Sequence, residues 1–131
     1  VSAMDILPTA LNAAHAKPPE NRSTDGVDLL PYVTGKKKNA PHDFLAWRLG
    51  RNHALRKGDW KFVQYGDNPP KLYNLAEDAG EISDLAAGQP DKLKELLRLY
   101  AKWDAEMIAP VYRVREAIPL DYQGEHLNLD Y

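Results

Sequence analysis

The chain has 131 residues, a formal net charge of −2, ten prolines, eight glycines and no cysteine. That length suits a single domain with one modest core, in which about two thirds of the unfolded chain's surface becomes buried. The charge offers no attraction for nucleic acid, no apolar run approaches the roughly 18 residues that cross a bilayer, and the lack of cysteine excludes a disulfide framework, a thiolate metal site and a cysteine nucleophile.

Val1 is followed almost at once by a periodic apolar segment, without an initiator methionine or a signal-peptide pattern. The expectation is a cut made inside a longer polypeptide. Asp5 precedes Ile6, Leu7, Leu11 and Ala14, a spacing that stripes one face of a helix, and its carboxylate suits an N-cap. Pro8 falls in the first turn, where its missing N–H costs little, and Pro18-Pro19 ends the helix near His15 to Lys17. After the polar stretch ENRSTDG, Asp28 caps a short turn through Leu29 to Val33 that Gly35 closes, presenting Leu29, Leu30 and Val33 to something apolar. GKKKNAP then reads as a solvated loop, its lysines serving solubility rather than anion binding.

From Phe44 the pattern changes to short runs, FLAWRL, HALRK, DWKFVQY and KLYNL, which predict four strands of an antiparallel meander. Gly58 supplies the positive φ of a tight hairpin, and Gly66 to Pro70 forms a longer turn in which the prolines prevent pairing before Lys71. Alternation puts Trp60, Phe62 and Gln64 on the face expected to meet the core, with Lys61, Val63 and Tyr65 opposite. The acidic turn at Glu77 to Glu81 lacks the alternating oxygens and closing glutamate of a calcium loop, so its carboxylates are expected to cap and to be solvated. Pro90 opens a helix whose Leu93, Leu96, Leu97, Tyr100, Trp103 and Met107 recur at three and four, a stripe suited to cover one face of the sheet. Beyond Pro110 the periodicity fades into an expected extended tail laid over a surface, carrying Tyr112, Tyr122 and Tyr131.

The residues offer little chemistry of their own. His15, His42, His53 and His126 show neither HExxH spacing nor helical pairing, and no aspartate doublet completes a hydrolase metal site. No phosphate loop or GxSxG occurs, and Ser2, Ser23 and Ser83 fit capping or solvation. The most suggestive polar set is Arg48, Arg51, His53 and Arg56, with Asn52, around the first strand turn. Three guanidinium groups and an imidazole there make a candidate substrate-binding edge for an anion, or else strand ends paired with neighbouring carboxylates.

Five motifs stand in order: VSAMDILPTALNAA, DGVDLLPYVTG, His42-Asp43 through Trp47-Arg48, ALRKGDWK, and LYNLAEDAGE. Each is short, but their order and spacing closely resemble the carboxy-terminal portion of the sulfatase family, over nearly the whole chain up to Ala109. The resemblance implies an α+β fold: a four-stranded antiparallel sheet packed on a long carboxy-terminal helix, preceded by a helix that belongs to a missing α/β catalytic domain. It divides the chain into 1–41, the end of that large domain; 42–109, the carboxy-terminal subdomain; and 110–131, the tail. It further implies a sulfuric ester hydrolase whose formylglycine and calcium ion are supplied upstream, since nothing here matches C/S-x-P-x-R or the family's metal ligands, so the segment would hold no cofactor and be inactive alone. The implied partners are the upstream catalytic domain and a sulfated carbohydrate or aryl sulfate. Arg48, Arg51, His53 and Arg56 would help form the pocket wall, and the parent would be periplasmic or secreted. A stand-alone module that binds anionic glycans or a protein, and a phosphoesterase of the same superfamily, are the alternatives.

Overall fold

The computed structural model describes residues 1–18, 20–21 and 24–109, together with the strand backbones at 117–122 and 125–130. It divides into two compact units, Val1–Asp43 and Phe44–Tyr131. The bond between His42 and Asp5 lies within the first unit.

In the first unit a 3-10 turn, Ala3–Asp5, leads into α1, Ile6–Ala13. Asp5 stands before α1 as expected, but its own backbone is already helical (φ −78°, ψ −15°), whereas an N-cap whose side chain reaches forward needs extended backbone. The carboxylate therefore turns back. Its Oδ2 accepts the Ser2 N–H at 2.7 Å, its Oδ1 accepts the Val27 N–H at 3.0 Å, and His42 Nε2 lies 2.8 Å from Oδ1. Asp5 is fully buried, and among the described residues of this unit no other side chain is. Burial alone would push its pKa up, but the amides of Val27 and Ser2 and the His42 ring outweigh this and hold it below 3.8.

Gly26 brings the loop against the 3-10 turn so closely that a Cβ there would overlap the Met4 carbonyl. Asp28 then caps α2, Leu30–Val33, by accepting the Leu30 N–H at 3.0 Å, while its other oxygen accepts from Asn12 at 2.7 Å. Ile6, Leu7 and Val33 stay largely exposed, so polar ties rather than an apolar core hold this unit. Pro19 and Ser23 lie outside the described residues.

The second unit carries the expected meander: β1 (Leu45–Leu49), β2 (Asn52–Lys57), β3 (Trp60–Gln64) and β4 (Lys71–Asn74), in the order β1-β2-β3-β4 and antiparallel throughout. Gly58 takes the positive φ (60°) predicted for the β2–β3 hairpin. Helix α3, Pro90–Ala105, begins on its proline and covers one face. Cross-strand pairing aligns Ala46, Leu55, Phe62 and Leu72 in one row, and Leu96 and Tyr100 press on it from α3. Leu55, Phe62, Leu72 and Leu96 are essentially inaccessible, each stabilising the fold by about 1.5–3 kcal/mol. Met107, expected at the end of the apolar stripe, falls beyond the helix and is 40% exposed.

Alternation identified Phe62 as core, but Val63 and Tyr73 on the opposite face are buried as well. The acidic turn contributes on that side, where Glu81 accepts a hydrogen bond from Lys61 at 2.5 Å. Asp78 accepts the Ser83 N–H at 2.8 Å; this and further amides from Ile82, Gly80 and Glu81 hold its pKa down. Next, Asp84 accepts the Leu72 and Ala86 amides and the Leu85 N–H donates to the Leu72 carbonyl, so the chain after the turn satisfies the outer edge of β4. The last segment, expected as an extended tail, pairs with itself as β5 (Ala117–Tyr122) and β6 (Glu125–Asp130). Tyr112 and Tyr131, and the expected lie of the tail over a surface, fall outside the described residues.

Candidate functional site

The first hairpin distributes its polar residues by strand parity. Arg48 on β1 and His53 on β2 are cross-strand partners, so both point to the face covered by α3. Arg48 donates from Nη1 to Asp104 Oδ1 at 2.5 Å and from Nη2 to the Ile108 carbonyl at 2.6 Å, clasping the end of the helix to the sheet. The His53 ring stacks on Tyr100 at 5.1 Å between centroids, and Tyr100 meets Phe62 edge-on at 5.6 Å. Burial pushes His53 below 6.5, the Asp104 carboxylate pulls it back in part, and the Arg48 guanidinium adds to the depression. Tyr100 is pushed up to about 12 by burial and by Asp104, so its phenol stays protonated. These four residues form a polar seam along the rim of the core.

Arg51 and Arg56 go elsewhere. Arg51 sits in the two-residue turn with Gly50 (φ 57°), is half exposed and pairs with Asp67. Arg56 lies on the opposite face of β2, exposed, with Nε donating to the Gly58 carbonyl at 2.9 Å. The four predicted site residues are therefore not gathered into one pocket: two build the seam, one stands at the turn and one faces away.

Beside the turn lies Asn52, a member of the polar set but not of the four candidate site residues. Its Oδ1 accepts the Gly66 N–H at 3.1 Å, but Nδ2, buried, has no hydrogen-bond partner among the described residues. An unpaired buried donor costs about 1–3 kcal/mol. Parity puts Asn52 on the same face as Trp47 and Leu49, which are 46% and 48% exposed. Asp104 and Tyr100 were also missed as partners; their signal was the spacing of four that sets both on the sheet-facing side of α3.

Among the described residues no group of three His, Asp or Glu side chains is placed to hold a metal ion. No helix among them is long and apolar enough to cross a membrane.

No protein-family model matches the chain. It is 32% identical to an uncharacterised sulfatase of Schizosaccharomyces pombe over 96% of its own length and 26% of that protein's. It is 30% identical to arylsulfatase K of Danio rerio over 76% of the chain and 21% of the relative, and 32% identical to choline-sulfatase of Rhizobium meliloti over 65% and 17%. The chain thus spans about a quarter or less of these curated relatives. Among solved structures, Ps i-CgsB in complex with k-i-k-neocarrahexaose superposes with a TM-score of 0.71 at 26% identity, over 86% of this chain and 26% of that one. A protein solved with its substrate D-glucosamine-2-N,6-O-disulfate shares the fold at a TM-score of 0.61 and 22% identity, over 77% and 23%. The ordered motifs, the meander backed by α3 and these similarities agree: the chain belongs to the sulfatase family, as a carboxy-terminal portion of it.

Proposed function

We propose that this chain is the carboxy-terminal part of a sulfuric ester hydrolase and contributes scaffold and pocket wall to an active site built by an upstream catalytic domain. The observation that carries this reading is the 32% identity to a sulfatase along 96% of the chain, in a segment that makes up only 26% of that relative. In this reading the formylglycine nucleophile and the calcium ion belong upstream, where they supply the attack on sulfur and the offsetting positive charge. Among the described residues no three His, Asp or Glu side chains are placed to hold a metal ion, and in this reading bond cleavage is left to the upstream domain.

Its own residues orient the substrate. Arg51 at the turn and Asn52 with its unpaired Nδ2 are the contacts for the non-sulfate part of a sulfated carbohydrate or aryl sulfate, the class suggested by the sulfatases named above and by the oligosaccharide bound to Ps i-CgsB. Arg48 and His53 are positioning residues, fixing the hairpin to α3 through Asp104 and Tyr100. Trp47 and Leu49, on the face shared with Asn52, and the exposed Ile6 and Leu7 of α1 are the apolar surfaces offered to the upstream domain.

The test is kinetic, in the chain joined to its upstream polypeptide. Asn52→Ala is expected to raise KM for a sulfated oligosaccharide by about tenfold while leaving kcat within about twofold, as for loss of binding shared by ground and transition states. An unchanged KM, or hydrolysis of phosphate monoesters in preference to sulfate esters, would refute the reading.

A further inference from the structure

The outward side of α3 carries a charge pattern that the family reading does not use. Lys94, Arg98 and Lys102 are exposed and recur every fourth residue, which sets them along one ridge about 12 Å long. None of the three forms an ion pair among the described residues. Like charges four apart disfavour a helix, so helix stability explains Lys102, which lies in the last turn, but not Lys94 and Arg98. The carboxylate best placed to neutralise it, Glu95, is already held by Lys92 at 2.6 Å and Lys57 at 3.0 Å, and these two ammonium groups keep its pKa at about 2. Asp91 sits near the amino-terminal end of the ridge and Glu106 near the other, and among the groove-lining residues between them Glu95 is the one carboxylate beside the three cations.

The ridge also borders concave surface. A groove of about 530 Å³ is lined by Lys57, Lys94, Arg98 and Lys102 with Leu99, and also by Asp91 and Glu95, so its four cations outnumber its two carboxylates. A second, of about 210 Å³, is lined by Phe44, Leu99, Lys102, Glu106 and the partly exposed Trp103. Leu99 and Lys102 border both, so the two adjoin as one track in which cations outnumber the carboxylates of Asp91, Glu95 and Glu106, with Phe44 and Trp103, whose inner sides pack on the core, at one end.

We propose that this track is an accessory binding site for a sulfated glycan chain: Lys94, Arg98 and Lys102 receive successive sulfate groups, and Trp103 with Phe44 receives the apolar C–H face of a sugar ring. A polymer bearing sulfates at regular intervals matches a linear row of cations, and the aromatic end discriminates sugar from free anion. The proposal rests on the reading of the parent as a sulfatase acting on carbohydrate, and it gives that enzyme a hold on a polymer apart from the hairpin assigned to the pocket wall. A chain of net charge −2 gathers these cations against its overall sign, which makes the site local.

The test uses the 131-residue chain and a sulfated hexasaccharide, with calorimetry and the part of the tryptophan fluorescence change that Trp103→Ala removes as readouts. The triple variant Lys94→Gln/Arg98→Gln/Lys102→Gln is expected to weaken binding by about tenfold or more, from three exposed charge contacts acting together. Lys36→Gln/Lys38→Gln in the first unit, as a control, should change it by less than about twofold. Trp103→Ala should weaken the hexasaccharide without altering the response to inorganic sulfate. Equal affinity for a desulfated hexasaccharide, preference for a single-stranded oligonucleotide of equal charge, or unchanged binding by the triple variant would each overturn the proposal. In the chain joined to its upstream polypeptide, the triple variant should keep wild-type kcat/KM on a small aryl sulfate and lose it on the polymer. Equal loss on both would also overturn the site, whereas failure of the unsubstituted enzyme on every sulfate ester would instead refute the sulfatase reading.

Discussion

Arg48→Ala tests whether the hairpin arginine is a structural clasp. The side chain is 18% exposed and donates two charge-assisted hydrogen bonds, one to Asp104 and one to the Ile108 carbonyl. Buried bonds of this kind are worth about 1.5–3 kcal/mol each, but Asp104 is 37% exposed and Ile108 81%, so both are screened towards the 0–1 kcal/mol of surface pairs. A combined loss of about 2 kcal/mol follows, which lowers Tm by about 8 to 16 °C in a unit of this size. Arg48→Lys keeps the charge but not the fork, and should lose about half as much. A double-mutant cycle with Asp104→Ala, read by thermal or urea unfolding, should return a coupling of about 1 kcal/mol. If Arg48→Ala shifts Tm by less than about 2 °C, or the cycle shows no coupling, the arginine is not a clasp and its assignment as a positioning residue fails.

Three further substitutions probe other parts of the account. Asp5→Ala removes the acceptor of the Ser2 and Val27 amides and should cost about 2–4 kcal/mol locally, seen as faster exchange of the Val27 amide; unchanged exchange would contradict the tie. Because the folded pKa of Asp5 lies below 3.8, its contribution is fully present above that pH and is lost on acidification below it, and Asp5→Asn should flatten this part of the pH profile. Burial places His53 below 6.5 in the folded chain, so unfolding takes up a proton and stability falls as pH drops below 6.5; His53→Phe, which keeps the stack on Tyr100, should remove that slope below pH 6.5 in a Tm titration. Phe62→Ala should cost about 3–5 kcal/mol by denaturant unfolding, since the ring lies between Leu55, Leu72 and Tyr100 with no solvent contact.

The elements were legible where local chemistry decides them. Gly58 announced its hairpin, Pro90 the start of α3, Asp28 the cap of α2, and the leucines of α3 the face that covers the sheet. Partnerships were not legible, because a guanidinium fits a substrate anion and a carboxylate of the same protein equally well. Only the placement of Asp104 one turn beyond Tyr100 assigns Arg48 to the helix, and only strand parity parts Arg56 from Arg48 and His53. Asp5 showed the same ambiguity: its type and position suited a cap, while its partners, Val27 and His42, lie 22 and 37 residues away. The cationic ridge was written plainly as Lys94, Arg98 and Lys102 at intervals of four, but the stronger apolar periodicity of the same helix drew the reading to its inner face.

The central claim is that this chain shapes a sulfatase active site without performing its chemistry. The most direct test is hydrolysis of a chromogenic aryl sulfate by the purified 131-residue chain and by the same chain joined to its upstream polypeptide. The account predicts turnover only in the joined protein. Sulfate ester hydrolysis by the chain alone, or none by the joined protein carrying its matured nucleophile, would contradict it.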